Sequence, residues 1–230
     1  MGSDAPIFDD RQHAGRELAG RLAGLAGQDV VVLALPRGGV PVGLEIAQRL
    51  EADLDVLVVQ KLGAPGQPEL AVGAATAEGT VVVNRRIAHV LGIPVRRLEA
   101  EAARLAGDLA RRATRLRSGQ AALPIEGRGV VVVDDGIATG ATFRAAVNLL
   151  RAMRPRQLVA AVPVAPPEAC ATLRALADRV ECLHEPARFV AVGHWYRDFT
   201  QVSDDEVVGA LRVVRSRRRA RPGRVPGDSG

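Results

Sequence analysis

Aromatic side chains are scarce in this chain, six in 230 residues, and four of them (Phe189, Trp195, Tyr196 and Phe199) fall within eleven positions. Cysteine is rarer still. Cys170 and Cys182 have neither metal-ligand spacing nor a histidine pair beside them. They read as small buried hydrophobes in a reducing compartment, and a disulfide framework is excluded. The histidines (His13, His89, His184 and His194) are scattered, which argues against a structural metal site. No apolar run approaches the about 20 residues that cross a bilayer. Asp4, Asp9 and Asp10 precede the first apolar segment, against a secretory signal. The expected location is cytoplasmic, with no membrane partner.

What is present suits one domain with a full core: 24.2 kDa, 47% hydrophobic and 25% charged residues. Much of the net charge of +5 lies at the end, in Arg212, Arg215, Arg217, Arg218, Arg219, Arg221 and Arg224. Pro222, Gly223, Pro226 and Gly227 break that run, so residues 212–230 are expected to form a disordered basic tail after a domain over 1–211. Apart from this tail nothing points to nucleic acid.

Apolar runs alternate with helical spacing, the pattern of an α/β fold with a parallel sheet. Strands are expected at 30–35, 54–60, 130–133, 157–164 and 179–183. Helices are expected at 13–26, 40–50, 94–117, 143–153 and 168–177, with a short last helix opened by Asp204, Asp205 and Glu206. Residues 70–76 and 80–84, joined by Glu78-Gly79, read as a hairpin outside the parallel core. The helix at 94–117 starts acidic and ends basic, in keeping with its dipole, and reads as an exposed arm or oligomer contact.

Val130-Val131-Val132-Val133-Asp134-Asp135-Gly136-Ile137-Ala138-Thr139-Gly140-Ala141-Thr142 is the most informative stretch. Unalternating valines fit a strand covered on both faces. Asp134 and Asp135 then stand at its carboxyl end, where open α/β sheets place ligands. The small residues that follow let backbone N–H groups close around an anion, at the positive end of the next helix. Two carboxylates would repel that anion, so they must meet vicinal hydroxyls of a sugar, or a magnesium ion bridging to them. A second cradle lies at Pro36-Arg37-Gly38-Gly39, between a strand and a helix, with one guanidinium as bidentate donor. Neither a nucleotide-binding P-loop nor a dinucleotide fingerprint fits: Leu44-Glu45 stands where a P-loop needs Lys-Ser/Thr, and Gly127-x-Gly129 precedes its strand.

These thirteen residues resemble the phosphoribosyl-pyrophosphate (PRPP) signature of type I phosphoribosyltransferases. The start, Asp10-Arg11-Gln12-His13-Ala14-Gly15, resembles an uncharacterised bacterial group within that family. The resemblance implies the type I phosphoribosyltransferase fold: a Rossmann-like parallel sheet flanked by helices, a flexible lid and a small hood. It assigns the ribose hydroxyls to Asp134 and Asp135, which would meet Mg2+ only indirectly, through those hydroxyls or water. The 5′-phosphate falls to Ala138, Thr139, Gly140, Ala141 and Thr142, and the pyrophosphate to Pro36, Arg37, Gly38 and Gly39. Lys61, before a Gly/Pro-rich loop, becomes a further pyrophosphate contact. The lid would span about 62–84, and the hood 184–205 with the N-terminal segment. Two departures stand out. Gly136 replaces a larger aliphatic residue, and Ala138 stands where the hypoxanthine–guanine branch commonly has Asp.

The clustered aromatics allow two readings, a plug packed on the sheet or a surface for a heterocyclic base. Phe189 to Asp198 loosely resembles the hood of purine-salvage members, which makes Phe189, Trp195 and Asp198 acceptor candidates. The implied activity is transfer of 5-phosphoribosyl from PRPP to a nitrogenous acceptor by a homodimer. The alternative is a non-catalytic regulator that senses PRPP or a nucleotide in the same pocket.

Overall fold

A computed structural model describes residues 6–219. In chain order it contains α1 (Arg11–Arg21), β1 (Val30–Ala34), α2 (Gly39–Leu50), β2 (Asp53–Val56), β3 (Val59–Ala64), β4 (Gln67–Thr76), β5 (Val81–Val83), α3 (Arg85–Val90), α4 (Val95–Leu116), β6 (Gly129–Val133), α5 (Ala141–Ala152), β7 (Gln157–Val164), α6 (Pro167–Arg174), β8 (Arg179–His184) and α7 (Asp204–Arg219). Five strands form a parallel sheet in the order β2-β1-β6-β7-β8, and β3-β4-β5 form a separate antiparallel sheet.

The unbroken valine runs follow from burial on both faces. Val30, Val32, Val131 and Val133 point into one core with Leu18 of α1 and Leu22 just after it, Ile46 and Leu50 of α2, and Val207 and Leu211 of α7. Val31, Leu33, Val130 and Val132 point into the other, with Phe143, Val147 and Leu150 of α5 and Leu173 of α6. Strand alternation therefore persists, with both phases apolar because neither faces water.

The segment expected as one strand at 54–60 divides between the sheets. β2 ends at Val56, Leu57 N still donates to Ala34 O (2.9 Å), and the chain then leaves for β3. Leu57 and Val58 are both buried, so no polar residue marks the change. The loop expected at 62–69 is instead a hairpin between β3 and β4, with a register shift on either side of Gly63. The expected lid is thus part of a three-stranded sheet beginning at Val59. That sheet lies between two helices. Leu98, Ala102, Leu109, Ala113 and Leu116 bury one stripe of α4 in the core that also holds Leu62, Ala64 and Val72. Ala74 packs with Ala145 and Leu149 of α5. The helix expected as an exposed arm is therefore a packed element.

Helix α7 is longer than expected. Ser203 and Glu206 form a capping box, Ser203 N donating to Glu206 Oε2 (2.7 Å) and Glu206 N to Ser203 Oγ (3.2 Å). Val207, Leu211 and Val214 are buried, and Arg215 Nη1 donates to Arg117 O (3.1 Å). The basic run expected as a tail from 212 thus begins as helix; residues 220–230 lie outside the described part.

Arg117, next after α4, is 6% exposed and Asp55 is 1% exposed. Arg117 Nε donates to both oxygens of Asp55 (2.9 and 3.1 Å), Nη2 to Val56 O (2.8 Å) and Nη1 to Glu78 Oε1 (2.6 Å). One guanidinium thus pins the β4–β5 turn to the end of β2.

Candidate active site

In the parallel sheet, β1 is flanked by β2 on one side and β6 on the other, so the strand order reverses between β1 and β6. The helix after β1 packs on one face and the helix after β6 on the opposite face. Their connecting loops diverge there and leave a crevice at the carboxyl ends of the strands, where doubly wound sheets bind ligands. Both anion loops expected from the sequence stand at that crevice.

The first loop is Leu35–Gly38. Its Pro36–Arg37 peptide bond is cis, and Gly39 N donates to Leu35 O (3.1 Å). The two loops touch through glycines. A Cβ on Gly38 would stand 2.1 Å from Asp135 Oδ2, and one on Gly39 would stand 2.7 Å from Val133 O and 2.9 Å from Asp134 Cα. No side chain fits at either place. Gly38→Ala is therefore expected to displace Asp135 and cost about 1–3 kcal/mol, the usual penalty of overpacking. Chemical denaturation checks this, and an unchanged midpoint would contradict it.

The second loop runs from Asp134 to Gly140, which adopts the left-handed conformation (φ 72°) before α5. Ala138, Thr139 and Thr142 are exposed, whereas Ala141 is buried beneath them. No side chain caps the helix, so its first N–H groups are open to an anion. Gly136 has a packing cause: a Cβ there would lie 2.6 Å from Val192 Cγ1 and 3.1 Å from Val164 Cγ1. Val192 takes up the space that a larger residue at 136 would occupy.

The two acids differ in environment. Asp134 accepts from Asp135 N through Oδ1 (2.9 Å). Burial first, and then the charge of Asp135, push its carboxyl well above the usual carboxylate range. Asp135 is ion-paired: Arg11 Nε lies 2.8 Å from its Oδ2, with the two side chains 10% and 13% exposed. Arg11 also donates from Nη1 to Thr200 O (2.8 Å), and its guanidinium carbon stands 3.8 Å from the centre of the Phe199 ring. Tyr196 OH donates to Asp135 O (2.5 Å), and burial foremost raises the phenol's pKa, keeping it a neutral donor.

The N-terminal segment and the late aromatic stretch form one unit. Phe8 N donates to Trp195 O (3.0 Å), and Arg197 N and Asp198 N donate to Phe8 O (2.9 Å) and Asp9 O (2.8 Å). Phe8, Trp195 and Tyr196 share a small core with Val164. Trp195 is 6% exposed and packs beside Phe189 and His194, the geometry of the plug reading rather than of an open stacking plane. Its Nε1 is buried and has no hydrogen-bond partner among the described residues. Phe189 is half-buried and Phe199 is 37% exposed. Asp198 binds Thr200 through N (2.9 Å) and Oγ (2.5 Å), closing a local turn.

Lys61 lines a cavity of about 310 Å³ between β3 and the first half of α4, with Gln60, Arg97 and Glu101. That lining includes no residue of either loop. The other end of α4 meets the first anion loop, where Arg112 Nη2 donates to Pro36 O (3.4 Å). Arg97 and Arg112 are separated by about 22 Å along the helix at 1.5 Å per residue.

The family model of the phosphoribosyl transferase domain matches residues 8–197, from Phe8 before α1 to Arg197 in the hood. The chain belongs to the phosphoribosyltransferase family. Its fold is the type I phosphoribosyltransferase fold, with a five-stranded parallel sheet flanked by helices. Two curated Mycobacterium tuberculosis proteins, from strains CDC 1551 and H37Rv, carry the provisional name phosphoribosyl transferase and are each 51% identical over 205 residues. The match covers 89% of this chain and 46% of theirs, so the chain spans less than half the length of these relatives. A crystal structure from Thermus thermophilus is 46% identical, with a TM-score of 0.82 over 89% of this chain and 97% of that one.

Around these two loops the sequence carries no sign of the roles of Arg11, Tyr196 and Arg112. Arg11 lies in the Asp10–Gly15 motif, but nothing local reveals that its partner is 124 residues away.

Proposed function

We propose that this protein transfers the 5-phosphoribosyl group of PRPP to a nitrogenous acceptor and releases pyrophosphate. The observation that carries the reading is the meeting of the two anion loops at the Gly38–Asp135 contact. Two anion cradles with a pair of carboxylates between them match a sugar that bears a phosphate at one end and a pyrophosphate at the other.

In this reading the Ala138–Thr142 amides and hydroxyls hold the 5′-phosphate, and Pro36–Gly39 with Arg37 hold the pyrophosphate. The acceptor nitrogen bonds to C1 of the ribose as the C1–O bond breaks, and the electron pair leaves on pyrophosphate. Positive charge builds on the ribose ring, so the acids at 134 and 135 and the cradled phosphates supply positioning and electrostatic stabilisation. Arg11 and Tyr196 orient Asp135 from the hood side, through its carboxylate and its carbonyl respectively. Phe189, Trp195 and Asp198 remain the acceptor-side candidates, with Trp195 acting from within the hood core. Lys61, in the lining of the cavity beside β3, is the further pyrophosphate contact of this reading.

Magnesium fits these residues as a metal carried by the substrate. Hard oxygen donors suit it, and it binds through one or two carboxylates plus substrate phosphates. Among the described residues no third His, Cys, Asp or Glu joins Asp134 and Asp135 in a ligating group, so the donor set is too small for a protein cage. Asp134 and Asp135 would hold the ion through ribose hydroxyls or water, where it would neutralise charge on the departing pyrophosphate.

A non-catalytic PRPP sensor is favoured by one observation, the commitment of Asp135 to Arg11. Incubation with PRPP, magnesium and a panel of nitrogenous bases separates the two. Base-dependent pyrophosphate release, lost in Asp134→Asn, is the expected result. Tight PRPP binding without release on any base would establish the sensor instead. No helix among the described residues is long and apolar enough to cross a membrane. A cytoplasmic homodimer is the proposed working form.

A further inference from the structure

The first anion loop carries more positive charge than Arg37 alone supplies. Arg115, one turn after Arg112 on α4, directs Nη2 to Asp204 Oδ2 (2.8 Å), while Arg37 Nη1 stands 3.8 Å from Asp204 Oδ1. Arg112 reaches the carbonyl of Pro36 itself. Three guanidinium groups from two elements therefore converge on the loop rim, and Asp204 at the start of α7 stands between two of them. Glu206, two residues on, is spent on Ser203 N and Oγ (2.7 Å each), so it does not share this role.

We propose that Asp204 is an internal counter-anion of the pyrophosphate subsite, that Arg115 is a further ligand of that subsite, freed when the pyrophosphate of the donor displaces the Asp204 carboxylate, and that Arg112, already at the Pro36 carbonyl, is another. The proposal rests on the PRPP reading of the site. Its physical basis is exchangeability. Asp204 is 30% exposed, Arg37 35% and Arg115 68%, so these pairs are solvent-screened and weak. A pyrophosphate group offers more charge and more acceptor oxygens than one carboxylate, and arginine matches it bidentately.

Calorimetric titration of the full chain with inorganic pyrophosphate plus magnesium, and separately with PRPP plus magnesium, tests this through opposite signs. Arg115→Ala and Arg112→Ala are expected to weaken binding of both ligands, about tenfold for a lost charge-assisted contact. Asp204→Asn is expected to tighten it by a few-fold. A structural clasp would behave differently, with Asp204→Asn and Arg115→Ala weakening binding alike and lowering the unfolding midpoint together; that result overturns the proposal. Unchanged affinity in both arginine variants overturns it too, while leaving the PRPP reading intact if wild type binds. Absence of binding by wild type overturns both. The expected affinity changes without any turnover would uphold the subsite and remove only the catalytic reading. Should Arg115→Ala fold poorly, Arg115→Gln with Asp204→Asn supplies the same comparison at the surface.

Discussion

Arg117→Ala is expected to lower the stability of the protein by about 3–5 kcal/mol, the cost of stranding one partner of a buried ion pair. Asp55 would keep its hydrogen bonds from Val56 N (2.8 Å) and Leu123 N (3.0 Å) but lose both from Arg117. The nearest remaining guanidinium, Arg215, stands 3.7 Å away, too far for a direct bond. Burial opposes the Arg117 charge, but Asp55 and then Glu78 more than offset it, so its pKa is raised. The unfolding midpoint in urea should fall accordingly. The double variant Arg117→Met/Asp55→Asn should recover much of the loss, because what destabilises is the unpaired charge. A midpoint within experimental error of wild type for Arg117→Ala would show that the network is not coupled to folding. The three-stranded sheet would suffer first, since Glu78 is its tie to this node.

Asp134→Asn is expected to act in opposite directions on stability and function. Burial first and the Asp135 charge second raise the pKa of Asp134 above its unfolded value. Folding then takes up a proton between those two values, so wild-type stability is greatest below the ordinary carboxylate range. It declines as the pH rises through that range and up to the folded-state pKa. Asparagine carries no such loss. The advantage of Asp134→Asn should be absent in acid and grow as the pH rises, reaching about 2–4 °C in midpoint if it amounts to 1 kcal/mol in a domain of this size. At the same time PRPP-dependent turnover should fall roughly 100-fold or more, the usual scale for a lost electrostatic group. In wild type, donor binding should strengthen as the pH rises through the raised Asp134 pKa. A variant less stable than wild type at neutral pH would show that Asp134 is a structural acceptor, not a strained acid.

The contact between the two loops limits how far these effects can be separated. Gly38 and Gly39 lie so close to Asp135 and Asp134 that displacement of either acid shifts the pyrophosphate cradle as well. Asp135→Asn should therefore lose the Arg11 bridge, loosen the hood and weaken donor binding together. Asp134→Asn is the cleaner probe.

Much of this was legible along the chain. Valines unbroken by polar residues announced buried parallel strands, and the acids followed by small residues announced a tight loop ending at an uncapped helix start. Both signals are local. They depend on side-chain volume, charge and backbone freedom within about a dozen residues. The course of the chain at Leu57–Val58 was not legible, because two buried apolar residues look alike whichever sheet they belong to. The length of α7 was missed because a run of arginines reads as solvated. Only the sheet it covers shows that Leu211 and Val214 form one buried stripe.

By itself, then, the sequence determined the fold class, the strand that carries the acids and the two glycine-bearing loops that meet at its carboxyl end. The tertiary structure alone decided the state of those groups. Arg11, Asp204 and Arg115 come from α1, α7 and α4, far apart in sequence. Whether an acid is paired, shared or strained depends on charges that meet only when the chain has folded. Local pattern records which groups are available. Long-range contacts set their charge, partners and reach.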